Sequence, residues 1–248
     1  MKRFAVICIS LVLSYLPCSS AAYNGTTAFL SNSGGYIPGT FPLTVGGWVN
    51  PSSLTNGFDV LIASGQQGSG GWRLVVACNN ATCGCTGTPL DFTKIAVIDI
   101  CSTTTLTLNA WQCVGAVVTS TNVRFLVYSA SGALTAQNVA NSSAFNTAGS
   151  PVLNVEGSGS NSAVHGSSAN VAVWQNAALS DAEFSAFCFQ GLSAVGRKPA
   201  GFWPMFNTAA AFQVQGDLGT GTTSFFLTGN NTPTTVSHSP TGNPFQRH

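Results

Sequence analysis

Charged side chains are scarce in this chain: Asp, Glu, Lys and Arg make up 6% of its 248 residues, against roughly a quarter in an average soluble domain. Eight basic residues face seven acidic ones, and so weak a field favours neither nucleic acid nor an anionic membrane as a partner. Long apolar runs are also lacking. Beyond residues 4–16 no segment approaches the roughly 20 residues of a membrane helix, so no membrane span is expected. Helical pattern is nearly absent outside one short stretch, which leaves strands to build the fold. Ser, Thr, Asn and Gly supply the polarity instead. Such a neutral skin of hydroxyls and amides suits carbohydrate contact, self-assembly or a heavily glycosylated surface.

The N-terminus has the layout of a secretory signal peptide. Lys2 and Arg3 precede the apolar run of residues 4–16, and Pro17-Cys18-Ser19-Ser20-Ala21-Ala22 offers small residues for cleavage near Ala21 or Ala22. Lipidation at Cys18 is the rival reading, disfavoured because Leu16-Pro17 lacks the small residue usual before a lipidated cysteine. The expected organisation is a signal peptide over 1–22, one domain over 23–240 and a tail over 241–248, in a secreted, extracellular protein. Without Lys2 and Arg3, six basic residues face seven acids.

Six cysteines stay in the mature part: Cys78, Cys83, Cys85, Cys101, Cys113 and Cys188. An even number in an exported chain reads as disulfides. Zinc is the alternative, but the stretch from Cys78 to Cys85 has no CxxC pair and no nearby histidine. If the strands around 95–101 and 111–118 form a hairpin, Cys101 lies opposite Cys113, and Cys188 then reaches back to the 78–85 loop. Sequons stand at Asn24, Asn80, Asn141 and Asn230, and they matter only in a host that glycosylates exported proteins.

One segment states its local structure outright. Ser180-Asp181-Ala182-Glu183 is a capping box, in which a hydroxyl and a carboxylate three residues apart satisfy each other's orphan backbone N–H groups. Leu179 and Phe184 can close as a hydrophobic staple, and Gly191 supplies the stop, which predicts a helix over 181–190. Upstream, Asn170 to Trp174 reads as a strand. Further strands are expected at 60–64, 72–77, 95–100, 133–139 and 152–156, separated by Gly, Asn, Ser and Pro clusters. Loops are expected at 66–71 and 156–168. The pattern predicts an all-β, antiparallel two-sheet sandwich with one short helix. The C-terminal stretch around Phe202-Trp203-Pro204 and Asp217-Leu218-Gly219 is too short for a second domain and reads as strands returning to the first.

The segment from Val171 to Phe184 resembles the closing strand and helix of laminin-G-like and pentraxin-like domains of the concanavalin A-like lectin/glucanase superfamily. Phe41 to Pro51, with Trp48 near its end, is similar to that family's early strand. Trp111 to Val118 followed by Val123 to Tyr128 is similar to its central hairpin. The resemblance implies a jelly roll in which Trp48, Trp111 and Trp174 are core, with C-terminal strands that complete the sheet beside the N-terminal strand. It leaves function open, because this sandwich hosts lectins, hydrolases, adhesion modules and virion proteins.

Glycoside hydrolysis on this fold uses carboxylates alternating along one strand, about 5–5.5 Å apart when configuration is retained. The chain has no such run: Glu156 and Glu183 are the only glutamates, Glu183 serves the cap, and Asp59, Asp91, Asp99, Asp181 and Asp217 are isolated. Asp99, in an apolar strand, is a candidate acid, with hydrogen bonding to turn backbone as its bland reading. No G-x-S-x-G motif accompanies His165, His238 or His248. The expected protein is a non-catalytic, lectin-like module for a glycan or a cell surface. A structural subunit of an extracellular or virion assembly, able to self-associate, is the alternative, and a hydrolase acting through Asp59, Asp99 or Glu156 is third. Trp72 and Arg73 beside the Gly68–Gly71 loop are the candidate sugar site, with a buried Trp72 as the bland reading. Many laminin-G-like domains hold calcium, and Asp59 with Asn56 are the weak candidates for it here.

Overall fold

A computed structural model describes residues 20–24, 29–32, 37–55, 58–66, 69–78, 83–146, 152–155, 162, 164–203, 216–217, 224–225, 228–230 and 234–236. In the first part of the chain the strands are β1 (Ser20–Asn24), β2 (Phe29–Asn32), β3 (Leu43–Pro51), β4 (Phe58–Gln66), β5 (Gly70–Cys78) and β6 (Pro89–Lys94). Then come β7 (Ile98–Thr105), β8 (Gln112–Val118), β9 (Asn122–Ser129), β10 (Leu134–Ala140), β11 (Leu153–Val155) and β12 (His165–Gln175). Helix α1 (Asp181–Gln190) follows, with a 3₁₀ turn at Leu192–Val195 and β13 (Gly201–Trp203). Short strands β14 (Gly216–Asp217), β15 (Ser224–Phe225), β16 (Thr228–Asn230) and β17 (Thr234–Val236) complete the described elements.

Two antiparallel sheets stack into a sandwich. The first runs β10-β9-β8-β3-β12-β1-β17, with β13 also on β12, and the second runs β16-β2-β11-β4-β5-β6-β7. Among the described residues, β14 and β15 pair with each other and with no other strand. The C-terminal β17 pairs with β1, and β16 with β2. Expected cleavage at Ala21 or Ala22 falls inside β1, where these residues face Ser168 and Ser167 of β12.

The two-residue period of a strand sorts the core into layers. Val45, Phe125 and Val173 from the first sheet meet Trp72, Leu74 and Phe92 from the second in the inner core, and each such buried side chain contributes about 1.5–3 kcal/mol. Trp48, Leu126, Tyr128 and Trp174 point the other way, onto Phe184 and Phe187 of α1. Gly46 and Gly115 face each other across β3 and β8. A Cβ on either would come within 2.6 Å and 2.3 Å of the Phe184 ring, so glycine at both positions lets the helix lie directly on backbone.

Helix α1 starts as its capping box requires: Glu183 N–H donates to Ser180 Oγ at 3.2 Å and Ser180 N–H to Glu183 Oε2 at 2.8 Å. Three side chains of the sheet hold it down. The Trp48 indole donates to the Cys188 carbonyl, the Tyr128 hydroxyl donates to the Asp181 carbonyl, and Arg124 forks onto the Asp181 carboxylate at 2.8 and 2.6 Å.

Several expectations are corrected. Residues 95–97 are a tight turn between β6 and β7 and not part of a strand, because Ala96 takes φ 60° and Val97 N–H closes on the Lys94 carbonyl. Residues 165–168, read as loop, extend β12 against β1 and β3. The disulfides are Cys78–Cys83, Cys85–Cys101 and Cys113–Cys188. Cys101 does not meet Cys113, because β7 is the edge of the second sheet while β8 lies inside the first. Cys188 accordingly bonds to the sheet beneath its helix and not to the 78–85 loop.

Candidate functional site

Helix α1 covers the outer face of the first sheet, and the outer face of the second carries a cluster of charged side chains, two of them buried. On β5, Trp72 and Leu74 turn into the inner core, so Arg73 between them turns out. Leu90 and Phe92 likewise turn Asp91 and Thr93 of β6 outward, and Ile100 does the same for Asp99 and Cys101 of β7. The registers Arg73↔Thr93 and Thr93↔Asp99 put these three in a row across the sheet, with Val75, Asp91 and Cys101 in the next row.

The cluster is tightly bonded at its base. Asp91 is fully buried and accepts from Thr93 Oγ1 at 2.7 Å and from Ile100 N–H at 3.0 Å. Burial pushes its carboxyl up to about 7, against the opposing pull of the Thr93 hydroxyl. Arg73 is 5% exposed, stacks its guanidinium 4.3 Å from the Phe58 ring centroid, and lies 3.9 Å from Asp99 Oδ1. Burial lowers its pKa, while the Asp99 and Asp91 carboxylates raise it. Arg73 Nε and Asp99 Oδ1 are buried atoms with no hydrogen-bond partner among the described residues. A strap of residues 83–85 crosses this face, tied to β5 by Cys78–Cys83 and to β7 by Cys85–Cys101. A Cβ on its Gly84 would lie 3.6 Å from Asp99 Oδ2.

Two further polar groupings are buried. Asp59, at the start of β4, is fully buried with Oδ1 3.4 Å from His165 Nδ1 at the start of β12, and its Oδ2 has no hydrogen-bond partner among the described residues. Desolvation raises its carboxyl to about 6, with His165 pulling the other way. Lys94 is buried at the end of β6, where its ammonium donates to Asn141 Oδ1 at 2.5 Å and to the Ser143 carbonyl. It lies 4.9 Å and 5.2 Å from the ring centroids of Phe41 and Phe145. Burial lowers its pKa to about 8.

The structure separates residues that the sequence put together. Trp72 is fully buried, stacked on Phe92, and its indole donates to the Ile37 carbonyl at 2.8 Å. No face of that ring is open to a sugar, and Arg73 next to it points to the opposite side of the sheet. Trp48, Trp174 and Trp203 are also core, while Trp111 is half-buried against it. Asn141 spends its amide within the protein: Oδ1 takes the Lys94 proton and Nδ2 donates to the Thr119 carbonyl at 2.9 Å. Asp181 pairs with Arg124, and Glu183 with Arg197 and the cap. Asn56, Asn80, Glu156, His238 and His248 lie outside the described residues, as do the side chains of Asn24, Asp217 and Asn230. For calcium, the described residues supply one buried carboxylate at Asp59, beside an imidazole nitrogen.

No protein-family model matches the chain, and no curated protein is similar to it in sequence. Solved structures are similar in fold. A protein from Bacteroides ovatus assigned provisionally to carbohydrate binding shares 14% identity at TM-score 0.58, over 88% of this chain and 59% of that one. Domain 4 of AbnA, an extracellular GH43 arabinanase from Geobacillus stearothermophilus in complex with arabinotriose, shares 14% at TM-score 0.51, over 67% and 74%. A heptameric pentraxin from Limulus polyphemus aligns over 68% of this chain and 80% of its own, at 15% identity and TM-score 0.45. The fold is the concanavalin A-like jelly roll. Identities this low carry the architecture alone. On this jelly roll, the outer-face pair of Arg73 and Asp99 is one arrangement with unspent hydrogen-bonding capacity among the described residues.

Proposed function

We propose that the chain is a secreted, lectin-like module that binds glycan without catalysis, through the outer face of β5, β6 and β7. The observation that carries this reading is the Arg73–Asp99 pair, in which Arg73 Nη2 lies 3.9 Å from Asp99 Oδ1, while Arg73 Nε and that same oxygen have no hydrogen-bond partner among the described residues. A sugar's hydroxyls donate to a carboxylate, so Asp99 is the group that meets them, with the Arg73 guanidinium behind it. Asp99 is the solvent end, at 24% side-chain exposure against 6% for Arg73. Likeness in fold to a domain solved with arabinotriose adds support and makes pentose oligosaccharides the first ligands to try. Asp91, on the same face, is fully buried and already bonded twice, which suits a structural role for that carboxyl. Three disulfides agree with an extracellular location.

The test is calorimetric titration of the oxidised protein with arabino-, xylo- and gluco-oligosaccharides, alongside a glycan array, for the natural chain and Asp99→Asn. Binding to at least one glycan is expected, and D99N, which keeps the shape and removes the charge, weakens it about tenfold or more. A blank array, or unchanged affinity in D99N, would sink the reading. The alternative of a structural subunit is favoured by one separate feature, the uncharged edge strand β10.

A further inference from the structure

The strap that crosses the outer face of the second sheet brings two disulfides together. Cys78 Sγ, Cys85 Sγ and a carboxylate oxygen of Asp91 all lie within 4.8 Å of one another, and all three residues are buried. Cys83 is bonded to Cys78 and Cys101 to Cys85, so the other two sulfurs are each one S–S bond away from this group. Cys113–Cys188 belongs to the opposite face of the molecule, under α1.

We propose that the reduced chain holds one zinc-class divalent ion on the thiolates of Cys78, Cys83, Cys85 and Cys101, so that disulfides and metal are mutually exclusive closures of the same strap. A tetrahedral thiolate site has metal–sulfur bonds of about 2.3 Å, which places the sulfurs about 3.8 Å apart. The observed separation of at most 4.8 Å between Cys78 and Cys85 sulfurs is already near that value. Two ligands come from the rigid sheet, Cys78 at the end of β5 and Cys101 within β7, and two from the strap. The four residues between Cys78 and Cys83 fall within the spacing that zinc sites use. Gly84, at φ 58°, turns the strap between Cys83 and Cys85. Asp91 stands behind the sulfurs as an oxygen neighbour.

The chemistry balances with a thiol or phosphine as reductant. Each disulfide takes up two electrons and two protons to give two thiols, and the ion then displaces the thiol protons to solvent as four metal–sulfur bonds form. In an oxidising compartment the strap is shut by disulfides. Wherever the chain is reduced, the ion takes their place.

The experiment uses the full chain, reduced with a phosphine under argon and titrated with Co²⁺ and then Zn²⁺. Expected is uptake of one Co²⁺ with the visible d–d bands and near-ultraviolet sulfur charge transfer of a tetrahedral thiolate site, displaced by one Zn²⁺. The oxidised chain should take up none. Cys113→Ser/Cys188→Ser should keep the bands, and Cys85→Ser/Cys101→Ser should lose them and weaken uptake about a hundredfold or more. Near-ultraviolet circular dichroism, read in parallel, should show native aromatic packing in the metal-loaded chain. Missing bands in the natural sequence, bands that survive C85S/C101S, or uptake by a chain without native packing would each overturn the proposal.

Discussion

Asp59 carries the clearest consequence at the scale of a single residue. Its folded carboxyl is raised to about 6 by burial, whereas an unfolded aspartate titrates near 3.9. Between about pH 4 and pH 6 the folded chain therefore keeps a proton that the unfolded chain has lost, and stability falls as pH rises through that window before levelling off. The full difference amounts to about 2–3 kcal/mol. Asp59→Asn has no proton to lose. Urea denaturation at pH 4.5 and pH 7.5 should show the natural chain losing stability relative to D59N at the higher pH, and parallel behaviour of the two chains would remove the argument. None of this was legible in the sequence, since His165 stands 106 positions from Asp59 and each looked isolated. Lys94 was equally silent, because its partners Asn141 and Ser143 are supplied by a segment that only the fold brings near. Asn141 reads as a sequon by its neighbours alone. Its occupied amide predicts that peptide mapping of protein exported from a glycosylating host finds Asn141 unmodified, and a sugar there on folded protein would contradict these hydrogen bonds.

At the scale of elements, local signals were readable and long-range ones were not. The capping box is a three-residue relation, so α1 was legible to the residue. The β6–β7 turn was missed because Ile95-Ala96-Val97-Ile98 is apolar throughout, and an exposed apolar turn has no sequence mark that separates it from a strand; Val97 and Ile98 are 44% and 46% exposed. Disulfide pairing failed for a related reason. Cys101 and Cys113 are near in sequence, yet the chain changes sheets between them, and nothing in residues 106–111 announces the crossing. The pairing that does form gives α1 a covalent tie to β8 across 75 positions. Closing so long a loop removes much of the unfolded chain's freedom, and Cys113→Ala/Cys188→Ala should cost about 2–5 kcal/mol. Because Trp48 and Tyr128 still bond the helix backbone, the double variant should keep native far-ultraviolet dichroism while its denaturation midpoint drops. A midpoint that does not move would show that these contacts already fix the helix alone.

At the scale of the whole molecule, scarcity of charge and the open rim of the first sheet meet in β10. Strand β10 pairs with β9 and, among the described residues, has no strand on its other side. Its seven residues, Leu134 to Ala140, include neither a charge nor a proline, and all are exposed or half-exposed. Natural sheets guard such edges with lysine, proline or a bulge, because unpaired N–H and C=O groups template another strand. Here the guard is missing. Gln137 accepts from Thr103 N–H on β7 at 2.7 Å and Asn138 from Arg124 on β9 at 3.3 Å, side-chain contacts that leave the outer backbone edge of β10 uncapped among the described residues. In a chain with six basic and seven acidic residues beyond its expected signal peptide, long-range repulsion between copies is weak as well. Self-association through β10 is the expected result, visible by light scattering as a mass that grows with concentration. Ala136 is exposed and lies on the outward side of the strand, opposite Leu126 of β9. Ala136→Lys leaves the inner core untouched while placing like charges near each other in any antiparallel self-pairing, which weakens association about tenfold. A natural chain that stays monomeric at millimolar concentration, or association indifferent to A136K, would place assembly elsewhere and leave glycan contact as the role for which this neutral surface is suited.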